Sequence, residues 1–190
     1  MASVLKVDKL DPQSGTDLEI GTSGDTITIP SGATIVNSGT ATGFGGDNTP
    51  AFSAERSSAQ SITASTRTTI LFNNEFYDSD SEYDTTTGKF TPQTAGKYYV
   101  SSTVLLDSDA NGNLSYAFIE LYKNASPITE AIMDDRSGYG RRKTACLNVI
   151  ADMNGSSDYL LVQGFIAEEL GGQTPQVGDM STFQAFKIIE

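Results

Sequence analysis

Hydrophobic and polar residues alternate with a period of two through most of the chain from residue 51 onward. Alternating segments span 51–55, 60–63, 67–77, 88–91, 96–107, 113–123, 127–134, 143–153, 158–168 and 181–189. Turn-forming residues such as Asn154-Gly155 separate them, and no segment has a convincing helical period. Short strands joined by polar turns predict an all-β chain that folds as an antiparallel sandwich or jelly roll.

Residues 83–99 carry the densest turn information in the chain. Gly88 can adopt a positive φ angle in a tight turn. Phe90 begins a short strand, which must end or lie on an edge because Pro92 cannot donate to a ladder. Gly96 then turns the chain into a long alternating strand. Two turns and two strands within so short a segment favour the sandwich.

Two of the long strands each have one apolar side, and we predict that these sides lie in the core. In the first strand the apolar side is interrupted only by Ser102. The predicted core residues are Tyr98, Val100, Val104 and Leu106 in that strand, and Leu147, Val149, Ala151 and Met153 in the other.

Residues 1–46 differ in composition and in sequence pattern from the rest of the chain. Ser-Gly recurs at 14–15, 23–24, 31–32 and 38–39, and Phe44 is the only aromatic residue. Short strand-like pieces, such as the one with Ile27 and Ile29, carry too few apolar residues to form a core in one chain. We predict a stem shared by three chains, followed by a globular head at 47–190. A flexible Ser/Thr/Gly linker is the alternative.

Charge and composition exclude several functions. The formal net charge of −12 argues against nucleic acid and anionic membrane surfaces as partners. No run of 18 apolar residues could span a bilayer. The N-terminus lacks the basic start and apolar centre of a signal peptide. We therefore expect a protein made without secretion.

An enzymatic function is disfavoured by the residue types present. The chain has no histidine, so it lacks the commonest general base and the commonest metal ligand. Cys146 is its only cysteine and lies in an alternating segment, which favours a small buried hydrophobe over a reactive thiol. The adjacent acidic pairs at 134–135 and 168–169 point to opposite sides of a strand, unlike a glycosidase couple.

Several motifs resemble the globular head of complement component 1q, a jelly roll shared with tumour necrosis factor. They are Ala51-Phe52-Ser53-Ala54, Ile70-Leu71-Phe72-Asn73, Tyr83-Asp84, 87–92, 95–100, Leu121-Tyr122-Lys123-Asn124 and 183–188. The resemblance implies a fold without catalytic residues that forms trimers through an aromatic inner sheet. We assign the trimer core to Tyr98, Val100, Leu147, Val149, Phe183 and Phe186.

The N-terminal region resembles the shafts of bacteriophage fibre proteins, especially those of marine and cyanobacterial phages. The motifs are 5–10, 18–21 and 25–34. The two resemblances together imply a virion protein made in the host cytoplasm: a trimeric tail fibre or knob whose N-terminus binds other virion proteins. The attachment segment would comprise Val4, Leu5, Val7 and Leu10. A capsid decoration or head fibre and a bacterial carbohydrate-binding adhesin are the alternatives.

Three loops, at 107–113, 134–142 and 168–180, are expected to meet at the end of the head opposite the stem, because strands of a jelly roll alternate in direction. Loops on a rigid scaffold commonly carry binding residues. The middle loop holds the only basic cluster, whose arginines suit the carboxylates of acidic sugars. We predict contacts to a host glycan or protein from Asp109, Asn111, Arg136, Tyr139, Arg141 and Arg142. A solvated loop whose charges satisfy one another is the alternative.

No cofactor is expected. Asp78, Asp80 and Asp84 are weak candidates for calcium ligands, because calcium prefers several carboxylate oxygens. A solvated acidic rim is the favoured interpretation of these residues.

Overall fold

The computed structural model describes residues 10, 12, 14–39, 48–108, 114–134, 140–167 and 174–188. Contacts within the chain divide it into residues 1–44 and 45–190, which we call the stem and the head. The described part contains no helix long and apolar enough to span a membrane. All the regular elements it contains are β-strands.

The strands of the head are short where polar turns interrupt the chain, and two of them reach 12 residues. In chain order they are β1 (Ala51–Glu55), β2 (Gln60–Ser61), β3 (Thr68–Thr69), β4 (Asn74–Asp78), β5 (Tyr83–Asp84), β6 (Lys89–Phe90), β7 (Gly96–Asp107), β8 (Tyr116–Lys123), β9 (Ser126–Asp134), β10 (Arg142–Met153), β11 (Leu160–Ile166), β12 (Gln176–Val177) and β13 (Thr182–Lys187).

Two antiparallel sheets pack face to face. In sheet A, β7 lies between β10 and β13, and β1 and β4 follow β13. The short β12 and β2 continue sheet A beside the end of β7. Sheet B has the order β5-β6-β11-β8-β9, and β3 also pairs with β11. The predicted all-β jelly-roll sandwich is confirmed.

The core lies between the inward sides of the sheets, where alternation places the apolar residues. Seven of the eight predicted core residues are buried, and the eighth, Val149, is partly buried against the same cluster. The interruption at Ser102 is also buried, and its hydroxyl donates to the Thr182 carbonyl at 2.8 Å. A hydrogen-bonded polar group can therefore occupy the predicted apolar side at little cost.

The predicted strand over 67–77 is wrong, because the chain changes sheets within it. β3 belongs to sheet B and β4 to sheet A, so 70–73 cannot form a continuous ladder. Ile70 and Phe72 in this crossing segment are fully buried, which explains the apolar pattern that predicted a strand. The strands β5 and β12 have only two residues each and were not predicted.

Gly88 has the predicted turn conformation, with φ of +70°. A Cβ atom at this position would lie 2.8 Å from the Ile70 carbonyl oxygen. The turn therefore requires glycine both for its backbone conformation and for the close approach of the crossing segment.

The stem forms turns but no ladder within residues 14–39. Backbone amides close two turns, from Asp25 to the Thr22 carbonyl and from Ala33 to the Pro30 carbonyl, both at 3.0 Å. The apolar residues between the turns are exposed: Leu18, Ile20, Ile27, Ile29, Ile35 and Val36. The strand-like pieces predicted from the sequence therefore have no strand partner within the described stem of one chain.

Candidate functional site

The ends of the three predicted loops meet at one end of the head. The amide of Ser108 donates to the Arg141 carbonyl at 3.1 Å, and that of Leu114 to the Gly140 carbonyl at 2.7 Å. The third loop joins through the Ala167 amide, which donates to the Tyr116 carbonyl at 2.9 Å. We call this end the tip.

The chain enters the head at the opposite end. The amide of Lys187 donates to the Pro50 carbonyl at 3.1 Å, and Lys187 pairs with Tyr98 near the start of β7. Asp107, at the other end of β7, belongs to the tip. A 12-residue strand spans about 36 Å, so the tip lies a full strand length from the entry of the chain.

Asp107 organises the described part of the tip. Its carboxylate is fully buried and lies between two arginines. Arg141 approaches with its Nε 3.1 Å from Oδ1, and Arg142 with its Nε 2.7 Å from Oδ2. The Gln176 amide donates to Oδ2 at 3.2 Å. The Asp107 carboxylate thus holds both the loop before β10 and the loop before β12 against the end of β7.

The two arginines retain access to solvent, because 46% of the Arg141 side chain and 54% of the Arg142 side chain is exposed. Two guanidinium groups share the single charge of Asp107, so this triad carries a surplus positive charge in a chain with a formal net charge of −12. Exposed guanidinium forks are suited to binding carboxylates. The triad therefore holds the loop in place and leaves two guanidinium groups partly accessible to solvent.

Replacing Asp107 with alanine is expected to lower the free energy of unfolding by about 2–3 kcal/mol. Removing one partner of a fully buried ion pair costs about 3–5 kcal/mol, and the half-exposed arginines recover part of this through hydration. Urea unfolding followed by circular dichroism measures the change. Asp152→Ala, an exposed acid near the other end of β10, is the control and should change the value by less than about 0.5 kcal/mol. Equal effects of the two variants would contradict a structural role for Asp107.

The remaining predicted contact residues, Asp109, Asn111, Arg136 and Tyr139, lie outside the described residues. The structure brings Arg141 and Arg142 together, and it adds Asp107 and Gln176, which belong to the predicted tip loops but were not among the predicted contact residues. The signal for Asp107 was an acidic residue at the end of an apolar strand, in a chain whose basic cluster lies in another of the predicted tip loops.

The assignment of the trimer core needs correction, because five of the six residues lie on the inward side of sheet A. Tyr98, Val100 and Phe183 have no exposed surface, and Leu147 is 4% exposed. Val149 is directly opposite Val100 and packs partly against the same core. The other sheet of their own chain covers four of these side chains fully and Val149 in part. Phe186 alone points outward, with 38% of its surface exposed.

The outward side of sheet A, which we call the A face, carries a different set of apolar residues. Phe186 on β13, Tyr99 on β7 and Ile150 on β10 form one row across three strands. The Tyr99 and Phe186 ring centroids lie 5.4 Å apart, and Ile150 is 58% exposed. The next two rows toward the tip are uncharged: Gln184, Ser101 and Asn148, then Thr182, Thr103 and Cys146. Cys146 is exposed on this face, so its prediction as a buried residue is wrong for the single chain.

The weak calcium candidates do not converge. The Asp84 carboxylate accepts hydrogen bonds from Thr86 and Thr87, and these bonds lower the pKa of Asp84 to about 2. Asp78 instead accepts from the Tyr83 amide at 2.8 Å. Among the described residues, no group of three or more acidic or cysteine side chains is arranged to hold a metal ion.

Glu82 lies near Asp78 and Asp80 and loses solvation on burial. Burial raises the pKa of Glu82, and the two aspartates raise it further. One buried oxygen each of Asp78 and Glu82 has no hydrogen-bond partner among the described residues. Of the attachment residues, Leu10 is exposed, and Val4, Leu5 and Val7 lie outside the described residues.

Comparison with known proteins supports the fold assignment. The family model of the C1q domain matches residues 51–170. The chain belongs to the C1q domain family. Domains of this family and of the related tumour-necrosis-factor-like group are generally non-enzymatic binding modules, typically trimeric. Among curated proteins, none is detectably similar to this chain in sequence.

Solved structures show the same C1q-type fold. The globular domain of zebrafish complement 1qA has a TM-score of 0.55 at 17% identity, covering 73% of this chain and 96% of that one. Eiger TNF from S. frugiperda has a TM-score of 0.52 at 12% identity, covering 73% and 91%. Murine APRIL at pH 5.0 has a TM-score of 0.50 at 9% identity, covering 73% and 98%. At these identities the similarity establishes the fold alone.

Proposed function

We propose that this C1q-domain chain is a non-enzymatic, homotrimeric binding protein. The A face forms the contact between heads, the stem associates with the stems of the other two chains, and the tip binds a carboxylate-bearing glycan. The proposed setting is a phage virion, in which the chain is a tail fibre or knob.

The composition of the A face is the main support for a trimer. The row of Phe186, Tyr99 and Ile150 and the next two rows toward the tip contain no charged residue on three adjacent strands; the row on the other side holds Lys97 and Asp152. The chain has 36 charged residues among 190, so a wide uncharged region is unusual for a face exposed to water. The centre of a protein–protein contact is typically depleted of charge and enriched in aromatic residues. These properties favour coverage by other chains.

The stem supports the same assembly. Its apolar residues are between 46% and 83% exposed within one chain, and no strand partner is present in residues 14–39. Association of three stems would cover these side chains and pair the strand-like pieces, as in other architectures where one unit is stable only beside its neighbours. A self-associating stem joined to a binding head is a combination typical of a viral fibre.

The virion setting is supported by the fibre-like sequence of the stem together with a C1q-type head. It predicts that mass spectrometry of purified particles detects this chain as a structural component. A capsid decoration protein would satisfy the same test, and negative-stain microscopy with an antibody to the head distinguishes capsid from tail. Absence of the chain from the particles would contradict the setting and favour the adhesin.

Binding at the tip is expected to depend on the surplus charge of the arginine triad. In the variant Asp107→Asn with Arg141→Gln and Arg142→Gln, hydrogen-bonding groups remain but all three charges are removed. We expect this variant to lose at least tenfold in affinity for polygalacturonate, measured by biolayer interferometry. The melting temperature checks that the head stays folded.

Replacement of a partly buried cation elsewhere, Lys187→Gln at the opposite end of the head, provides the control. It should leave polygalacturonate affinity within twofold of the unmodified protein. Equal binding by the triad variant and the unmodified protein would overturn the assignment of the tip and leave the trimer untouched, because the triad lies outside the three uncharged rows of the A face.

A further inference from the structure

The outward side of sheet B, which we call the B face, has three rows of residues that run across the strands. The middle row is polar and crosses four strands; its members are Thr69, Gln163, Glu120 and Glu130. The rows on either side are apolar or aromatic: Phe165, Phe118 and Ile132 on one side, and Leu161, Tyr122 and Pro127 on the other. Neighbouring rows are two residues, or about 6.8 Å, apart along a strand.

Glu120 at the centre of the middle row is held rigidly. It is only 4% exposed, and Arg67 binds both of its oxygens, with distances of 2.7 Å from Nε to Oε2 and 3.3 Å from Nη2 to Oε1. The Tyr122 hydroxyl donates to Oε2 at 3.2 Å. The Arg67 guanidinium lies 5.0 Å from the centroid of the Phe118 ring. A buried carboxylate fixed by charged and aromatic neighbours is a preorganised polar group.

This row has acceptor capacity that the fold does not use. A carboxylate has about four lone-pair positions, and three hydrogen bonds reach Glu120. Glu130 lies directly opposite Glu120 on β9 and is exposed, without a partner among the described residues. Like charges directly opposite each other destabilise a sheet. The presence of Glu130 therefore cannot be explained by a contribution to the stability of the sheet.

A groove of about 280 Å³ lies between these two glutamates, and Pro127, Ile128 and Thr129 complete its lining. Small-molecule sites start at about 300 Å³, so the groove accommodates one ring of a longer chain. Ile128 is 40% exposed and Ile132, beyond the middle row, is 50% exposed. The surface thus combines a concave position, apolar walls and convergent acceptors.

We propose that the B face binds a neutral glycan, with one sugar ring seated in the groove beside Glu130. Sugar hydroxyls donate hydrogen bonds to carboxylates, while the C–H faces of the ring pack on apolar side chains. The unbalanced charge of Glu130 disfavours an acidic glycan by direct repulsion. Arg67 directly precedes β3, and its side chain is 52% exposed. Its guanidinium supplies a hydrogen-bond donor for a hydroxyl oxygen of the sugar.

This site goes beyond the proposed function of the tip and does not depend on it. The tip triad carries surplus positive charge and is suited to carboxylates, whereas the B face carries surplus negative charge at Glu130. The tip site lies on the ends of loops, whereas the B-face site lies on the surface of a sheet. A glycan that binds one should not compete with a glycan that binds the other.

The test is calorimetric titration of the full chain with maltohexaose, cellohexaose, laminarihexaose and mannohexaose, each up to 10 mM. We expect at least one to bind, with an affinity that falls at least tenfold in Glu130→Ala. Glu75→Ala, an exposed glutamate on sheet A, should leave the affinity within twofold. The triad variant of the tip should also bind the neutral sugar unchanged.

Three results would overturn the proposal: no binding of any neutral hexasaccharide, binding that Glu130→Ala does not weaken, or tighter binding of a galacturonate hexamer at this face. Trilysine is the competing probe, because two opposed carboxylates could instead hold an amine. Binding of trilysine that is lost in Glu130→Ala, without sugar binding, would replace the glycan by a cationic ligand. Glu130 is exposed, so its variant should keep the melting temperature of the unmodified protein.

Discussion

Replacing Phe52 with alanine is expected to lower the free energy of unfolding of the head by about 3–5 kcal/mol. Phe52 has no exposed surface and lies at the centre of an aromatic cluster. Its ring stacks on Tyr83 at a centroid distance of 4.6 Å, approaches Phe90 at 4.5 Å, and meets the edge of Phe183 at 5.0 Å. Loss of the ring removes contacts to both sheets and leaves a cavity that these rigid neighbours cannot fill.

Urea unfolding at a fixed protein concentration measures this change, since assembly makes apparent stability depend on concentration. Phe76→Ala is the matched control, because the ring of Phe76 on β4 is 59% exposed. We expect the control to change the free energy by less than about 0.5 kcal/mol. Similar losses in the two variants would show that the cluster around Phe52 does not hold the sheets together.

Placing two glutamates on the A face, by Ile150→Glu together with Phe186→Glu, is expected to weaken the proposed trimer and to lower its mass toward that of one chain. These residues flank Tyr99 in the apolar row, and both side chains are exposed within one chain. The single head should therefore still fold. Assembly would bury charges without partners, which costs several kcal/mol per ion. Light scattering gives the mass, and circular dichroism checks the fold.

The control for this variant is Ile132→Glu, which places one glutamate at a 50% exposed isoleucine on the B face. Its mass should equal that of the unmodified assembly. If the A-face variant keeps the mass of the unmodified protein while the B-face variant loses it, the contact between heads lies on the other sheet.

The sequence predicted the fold well because alternation reports directly on burial in a two-layer sandwich. β7 and β10 lie within one residue of the predicted bounds, and their inward residues are the predicted ones. The failure over 67–77 has the same origin. Ile70 and Phe72 are as buried as strand residues, so composition could not show that the chain crosses between sheets there.

The sequence could not separate the two sides of a strand by function. Tyr98 and Tyr99 are adjacent and chemically equivalent, yet one lies in the core and the other on the A face. Only the register between β7, β10 and β13 shows that Tyr99 joins Phe186 and Ile150 in one row. The trimer core was therefore assigned to the more regular apolar side, which the other sheet of the same chain covers.

The acidic residues that organise the surfaces were also hard to find from sequence. Glu120 sits within an ordinary alternating strand, and its partner Arg67 is 53 residues away. Asp107 meets arginines 34 and 35 residues away. Such pairs depend on which strands become neighbours, and the periodic pattern of each strand carries no information about that.

The most direct test of a homotrimeric binding protein is the solution mass of the unmodified full chain by size-exclusion chromatography with light scattering. The account predicts a single species of three times the 20.2 kDa chain mass. A species with the mass of one chain, at concentrations up to 100 μM, would contradict it. The uncharged rows of the A face would then require a different partner to cover them.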